Sequence, residues 1–276
     1  MLKYQLIVSD IDGTLLNKAR DVAPETIKEI RRVWANYHIP VVLASGRMSK
    51  GMHKIKRDIG LIDLPMISYN GALIQGALNA DGSSETLFSK TFSSEIGLEI
   101  YKMGKKNGVQ VGLYSFDDWH VEQIDRWAQH EIDHTKINPA VTNNETTLQT
   151  WQKQGKGLHK IMLIGETALI DPFEIKLRAK YGNDLQIYRS NRFIIEVCPS
   201  EVSKHTAVEF LNKQMNLLPE FIMAFGDNLN DKAMLEYVGT GIAVANAKPS
   251  VKEIADDLTA SNLDLGVAKS LQKYFK

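Results

Sequence analysis

The feature that most constrains this chain is a recurrence: short apolar runs that stop abruptly at a polar cluster. Leu6-Ile7-Val8 leads into Asp10-Ile11-Asp12-Gly13-Thr14, and Pro40-Val41-Val42-Leu43-Ala44 into Ser45-Gly46-Arg47. Phe221-Ile222-Met223-Ala224-Phe225 leads into Gly226-Asp227-Asn228-Leu229-Asn230-Asp231. Runs this short and continuous suit strands covered on both faces of a parallel sheet. Between the first two, residues 24–37 read as a helix, with Pro24 in the first turn and Ile27, Ile30, Val33 and Trp34 on one apolar face. Strand, helix and strand make a βαβ unit, which predicts parallel pairing. Ligands bind open parallel sheets at the carboxyl ends of the strands. The three polar clusters are therefore expected to converge on one edge.

The remaining pattern divides the chain. Residues 65–69 read as a third strand, Asn70-Gly71 as a turn, and 72–74 as a further apolar stretch. Residues 79–84 are small and polar, as in a linker. The middle mixes strand-like runs (109–114, 159–164) with helical ones (94–106, 171–181), and 138–157 reads as a long polar connection. After about residue 191 the buried-strand style returns, with strands at 193–197, 221–225 and 241–244. Helices are expected at 203–212, with Ser203 as N-cap, at 249–257 and at 265–274. The expected fold class is α/β: a Rossmann-like parallel-sheet core from 1–83 and 191–276, with an inserted α+β domain at 84–190.

Composition narrows the partners. Lys plus Arg equals Asp plus Glu at 33 each, so there is no case for a nucleic-acid or membrane partner of the kind a basic patch would serve. The single cysteine, Cys198, excludes an internal disulfide, reads as a small buried side chain, and fits a cytoplasmic setting. The opening stretch Met1–Val8 meets Asp10 and Asp12 too soon for a signal peptide. No apolar run approaches the ~20 residues that span a bilayer.

Chemistry is readable in four places. Asp10 and Asp12, two apart in an extended segment, project to one side. Carboxylates held together repel unless a cation lies between them or one is protonated. Hard oxygen ligands suit Mg²⁺, one carboxylate can attack phosphorus, and the other can move a proton. Ser45 and Gly46 offer a hydroxyl and backbone N–H groups to phosphate oxygens, and Arg47 suits either phosphate or an ion pair. Lys204 sits at a helix start, where the helix dipole disfavours a cation and a functional anion would resolve the conflict. Asp227 is placed to bind a metal, Asn230 to donate to phosphate, and Asp231 to orient Lys204 or a metal-bound water. Each cluster has a plainer alternative: an Asp-Gly turn, a helix cap, a surface lysine or an Asx-rich turn.

Together the four clusters resemble the haloacid dehalogenase-like phosphatase superfamily across the whole chain, with Asp10–Leu16, Ser45, Lys204 and Gly226–Asp231 matching its four motifs in order. Tyr69-Asn70-Gly71-Ala72, Glu196-Val197-Cys198-Pro199 and Ser261–Ala268 are similar to its Cof-type group. Glu201–His205 and Val244-Ala245-Asn246-Ala247 depart from that group's common patterns without touching the proposed ligands. The resemblance implies a magnesium-dependent phosphatase. Asp10 would be nucleophile and metal ligand, and Asp12 general acid/base and ligand through its backbone carbonyl. Ser45, Gly46 and Lys204 would hold the phosphoryl group, Asp227 would complete the metal site, Asn230 would contact phosphate, and Asp231 and Arg47 would lend support. The inserted domain would be a cap that closes over the site and selects the leaving group. The implied substrate is a small phosphorylated metabolite, sugar phosphates foremost, and the implied assembly a monomer or homodimer.

Other readings use the same residues. A phosphomutase or phosphotransferase would share the carboxylate pair, although the short span from Leu16 to Ala44 leaves no room for a helical cap there. A non-catalytic sugar-phosphate-binding regulator would be expected to have lost Asp10, Asp12 or Lys204, and all are present. A receiver-like signalling domain would be much shorter and would need no cap.

Overall fold

The computed structural model describes residues 3–276, so the opening Met1-Leu2 of the first apolar stretch lies outside the described residues. The elements run β1 (Leu6–Ser9), α1 (Pro24–Tyr37), β2 (Val41–Ala44), α2 (His53–Ile59), β3 (Met66–Ser68), β4 (Leu73–Leu78) and β5 (Ser84–Ser89). There follow α3 (Ser94–Lys106), β6 (Gln110–Ser115), β7 (Asp118–Val121), α4 (Arg126–Thr135), β8 (Ala140–Val141), α5 (Asn144–Lys153), β9 (Lys160–Ile164), α6 (Thr167–Tyr181), β10 (Leu185–Asn191) and β11 (Ile194–Pro199). The chain closes with α7 (Lys204–Gln214), β12 (Ile222–Gly226), α8 (Lys232–Tyr237), β13 (Thr240–Val244), α9 (Pro249–Lys252), β14 (Asp257–Thr259) and α10 (Gly266–Tyr274). Two compact units result: one from the chain up to Phe88 plus Ser203–Lys276, the other Ser89–Val202.

The first unit is an eight-stranded sheet in the order β14-β13-β12-β1-β2-β3-β4-β5. Pairing is parallel from β14 to β3. The β3–β4 pair is antiparallel, because a tight turn at Tyr69–Gly71 reverses the chain. Alternate residues of each strand enter opposite cores. Ile7, Val41, Leu43 and Phe225 pack on the face with Ile30 and Val33 of α1 and Leu271 of α10. Leu6, Val8, Val42 and Ala224 pack on the other, with Val208 and Leu211 of α7 and Met234 of α8. Both faces are thus sealed by helices, which is why the strands read as unbroken apolar runs.

The second unit is a six-stranded sheet in the order β10-β11-β9-β6-β7-β8, antiparallel apart from β7–β8. Its core joins Leu113, Ile161, Leu163, Ile195 and Val197 to Tyr101 of α3, Leu148 of α5, and Phe173 and Leu177 of α6.

Three sequence expectations are corrected. Residues 193–197 do not return to the parallel sheet: β11 pairs antiparallel with both β10 and β9, so the chain re-enters the first unit only at Ser203. Residues 138–157 are no plain connection, because α5 buries Leu148 and Trp151 from an otherwise polar stretch. The helix expected at 249–257 stops at Lys252, and Asp257–Thr259 becomes the edge strand β14 beside β13.

Candidate active site

The ends of β12, β1, β2 and β3 lie side by side, and the polar clusters follow from them directly. Asp10 leaves β1 with its N–H donating to Phe225 O at 3.0 Å, so it begins where β12 gives way to Asp227. Ser45 leaves β2 with its N–H on Ile67 O at 2.9 Å, beside the turn that ends β3. From the other end of the sequence, Ser203 caps α7 by accepting from Thr206 N–H at 3.1 Å, and Lys204 is the first helical residue.

Lys204 is the hinge of the charge arrangement. Its fully buried ammonium donates to Asp10 Oδ1 at 2.5 Å and to Asp231 Oδ1 at 2.6 Å. Burial alone would push this lysine down, but Asp10 and Asp231 outweigh burial and hold it protonated above its usual range. The other oxygen of Asp231 accepts the N–H groups of Asp227 and Asn228, each at 3.0 Å. Both Asp231 oxygens are therefore committed: it ties the lysine to the loop that carries Asp227.

Asp10, Asp227 and Asp231 each offer an oxygen within 4.8 Å of the others. Three carboxylates against one ammonium leave a surplus of two negative charges. Burial, with the charges of Asp231 and Asp227, pushes Asp10 well above the usual carboxylate range against the pull of Lys204. Burial and Asp231 likewise push Asp227 up to about 6. Asp10 Oδ2 is buried without a hydrogen-bond partner. An all-oxygen site with an unpartnered buried carboxylate oxygen and a double negative surplus fits a hard divalent cation. With Asp231 committed, Asp10 and Asp227 are the side chains with oxygens to offer.

Asp12 has a different environment. Its carboxylate is gripped by Arg47, Nε to Oδ2 at 2.6 Å and Nη2 to Oδ1 at 2.7 Å, and by Arg20 Nη2 at 2.7 Å. Burial works to raise Asp12, but Arg47 and Arg20 outweigh it and hold the carboxyl below its usual range. Of the two uses the sequence leaves open for Arg47, the structure shows the ion pair. Ser45 is buried, and its hydroxyl accepts from Arg47 N–H at 3.2 Å, which leaves its own proton to donate. Asn230 donates its amide to Asn70 Oδ1 at 2.9 Å. Asn70 in turn lies against Gly46, where a Cβ would stand 3.2 Å from the Asn70 amide.

Sequence reasoning missed Arg20, Thr14 and Asn70 as members of this site. Thr14 donates to Asp227 Oδ1 at 3.1 Å, joining the first cluster to the last. Arg20 and Asn70 have positive φ, 63° and 55°. The Asn-Gly pair signalled the turn at Asn70 but not that its amide would reach Asn230. Nothing local marked Arg20.

A family model for haloacid dehalogenase-like hydrolases matches residues 7–271. A Haemophilus influenzae protein is 31% identical over 276 residues, 99% of either chain. The Bacillus subtilis 5-amino-6-(5-phospho-D-ribitylamino)uracil phosphatase YitU is 25% identical over 99% of this chain and 98% of its own. Among solved structures, a haloacid dehalogenase-like hydrolase from Bacteroides thetaiotaomicron superposes with a TM-score of 0.89 at 26% identity, covering 99% of this chain and 100% of that one.

Proposed function

The chain belongs to the haloacid dehalogenase-like hydrolase family, and on that premise we propose that it is a phosphatase that hydrolyses small phosphomonoesters through a phospho-aspartate on Asp10. The observation that carries the proposal is the buried Asp10, held by Lys204 at 2.5 Å through one oxygen while the other stays free of hydrogen bonds.

In the first step one oxygen of Asp10 attacks phosphorus as the bond from phosphorus to the leaving oxygen breaks. Asp12 is assigned to give a proton to that oxygen, against the preference for the ionised form that Arg47 and Arg20 impose. In the second step water attacks the phosphorus of the aspartyl phosphate, Asp12 takes the water's proton, and the bond to Asp10 breaks to release phosphate and free carboxylate. Dividing the hydrolysis this way replaces one hard displacement by two easier ones. Arg47 and Arg20 favour the ionised Asp12 that the second half requires. Lys204 stays protonated beside Asp10 and is assigned to neutralising charge on the transferring phosphoryl group, a preorganised arrangement that stabilises the transition state. Ser45, Gly46 and Asn230 are assigned to the transferring phosphoryl oxygens, and Asp231 to fixing Lys204. Mg²⁺, held by Asp10, Asp227 and the Asp12 backbone carbonyl, would supply charge neutralisation at the phosphoryl group.

Sugar phosphates are the substrate class favoured. The Bacillus relative is named for a phosphate carried on a ribityl chain, which is a phosphomonoester of a polyhydroxylated alcohol. Substrate choice is assigned to the second unit and the setting to the cytoplasm. No described helix is long and apolar enough to cross a membrane.

The test is a phosphate-release screen over a panel of phosphorylated metabolites, with and without Mg²⁺, using Asp10→Asn as control. The expected result is metal-dependent release from a subset of sugar or alditol phosphates, abolished in the variant. Full activity of Asp10→Asn would overturn the reading, and isomer formation in place of phosphate release would turn it to a mutase.

A further inference from the structure

The segment Ser261–Ala268 has no part in the chemistry above, yet it is built with unusual care. Ser261 caps a short turn, its hydroxyl on Asp264 Oδ2 at 2.5 Å and accepting from Asp264 N–H at 3.2 Å. Leu265 takes a left-handed conformation with φ 63°. Gly266 N–H then returns to Ser261 O at 3.0 Å, and a Cβ on Gly266 would stand 2.1 Å from Ala260 O. Thr259 closes the turn by donating its hydroxyl to Gly266 O at 2.8 Å.

The turn holds Asn262 against the loop after β1. Asn262 Nδ2 donates to Leu16 O at 2.7 Å. Its backbone N–H donates to Asn246 Oδ1 at 3.0 Å, and Asn246 Nδ2 donates to Gly13 O at 2.7 Å. Two side chains thus grip the carbonyls of residues 13 and 16, which flank the turn directly after Asp12. Two residues past Asn246, Lys248 N–H donates to Asp227 O at 2.9 Å. One loop therefore fixes the backbones of both the Asp12 and the Asp227 segments, while Gly13 at φ 87° leaves so little space that a Cβ would lie 2.5 Å from Asp227 Oδ2.

We infer that Asn246 and Asn262 are positioning residues: a two-asparagine brace from the carboxyl-terminal region that holds the Gly13–Leu16 turn, and through it the Asp12 carboxylate, in register with Asp10 and Asp227. The inference rests on the role proposed for Asp12. A loop of this kind, left with Arg47 and Arg20 on the side chain alone, keeps the charge but loses the backbone path, and small misplacements of a proton-transferring group are costly.

The experiment compares the parent chain with Asn262→Ala, Asn246→Asp and the exposed neighbour control Leu263→Ala. Asn246→Asp keeps the acceptor for Asn262 N–H and loses the donor to Gly13 O. Asn246 is exposed and Asn262 half-buried, so the variants are expected to fold, which thermal melting checks. Two quantities are read: kcat and KM for p-nitrophenyl phosphate with Mg²⁺, and amide hydrogen exchange of residues 11–16 in the metal-free protein. The expected result is a fall in kcat of roughly tenfold with KM within about twofold, and faster exchange confined to residues 11–16, in both asparagine variants and not in the control. An active parent whose variants leave either exchange or kcat unchanged overturns the brace and leaves the phosphatase reading intact. A parent inactive on every ester sinks that reading, and the assignment to turnover with it.

Discussion

Gly71 and Ser203 touch backbone to backbone: a Cβ on Gly71 would lie 2.3 Å from the carbonyl oxygen of Ser203. The contact sets how closely α7 can approach the turn after β3, and Lys204 is the next residue. Gly71 also has φ 105°, which side chains rarely adopt. Gly71→Ala is expected to cost about 2 kcal/mol or more and to lower turnover by roughly tenfold to a hundredfold as Lys204 moves. Gly82→Ala is the matched control. Its φ is 87°, but the nearest atom is 4.0 Å away, so it should show the strain in a denaturation curve with no change in kcat.

Lys204→Met removes the only ammonium bonded to Asp10 and Asp231 among the described residues. Turnover should fall by about a hundredfold to a thousandfold, the scale of losing one preorganised charge stabiliser. The carboxylates left behind are buried and uncompensated, so the metal-free variant should lose about 3 kcal/mol or more in urea denaturation. Asp231→Asn keeps an oxygen for the two backbone N–H groups and should be the milder lesion on both measures.

Asp227 tests the metal reading without substrate. In the metal-free protein its carboxylate is pushed up to about 6 by burial and Asp231, so at pH 8 it is ionised at a cost. Asp227→Asn should be more stable than the parent there by about 1–3 kcal/mol. Adding Mg²⁺ should reverse the order. The parent gains about 2.7 kcal/mol at a hundredfold excess over Kd, and the variant gains far less. Differential scanning fluorimetry in EDTA and in MgCl₂ reads both. A parent melting point indifferent to Mg²⁺ would count against the site.

His159 predicts a pH effect in the second unit. Phe116 N–H donates to its Nδ1 at 3.1 Å, which places the ring proton on Nε2, 3.0 Å from the Ser89 hydroxyl. Protonating Nδ1 would break the first bond inside the core. Burial, aided by Lys156, accordingly pushes His159 down to about 4 from 6.5. A depressed folded value means that the unfolded chain binds the proton first. The contribution is intact above about pH 6.5 and is lost as pH falls towards 4, to a limit of about 3 kcal/mol. His159→Gln should lose less stability than the parent between pH 7 and 4.5 in parallel denaturation series.

The parallel core was legible because its strands are sealed on both faces, so each prints as an unbroken apolar run ending at a charged cluster. Asp10, Lys204, Asp227 and Asp231 could be singled out because buried strand ends and a helix start are poor places for such charges without a task. Phe193–Val197 misled because a strand inside an antiparallel sheet, flanked by β9 and β10, can be as apolar as a parallel one, and no local signal says which sheet it joins. The α5 helix hid because two buried apolar residues, Leu148 and Trp151, suffice to anchor ten. Arg20 and the asparagine brace were invisible for another reason. They act through carbonyls and carboxylates distant in sequence, and single polar residues in turns look alike until the backbone brings them together.

The position of β1 between β2 and β12 has a consequence for synthesis. Asp10 and Lys204 are 194 residues apart, and the strand that leads into Asp10 needs a neighbour from the last quarter of the chain. A growing polypeptide therefore presents β1 with one open edge, exposed to wrong partners, while the second unit, whose sheet draws on no strand outside Ser89–Val202, has all its strands in hand. Asp10 stays without its ammonium until synthesis is well past the midpoint, so a ribosome-bound fragment lacking the carboxyl-terminal third cannot form the Asp10–Lys204–Asp231 cluster.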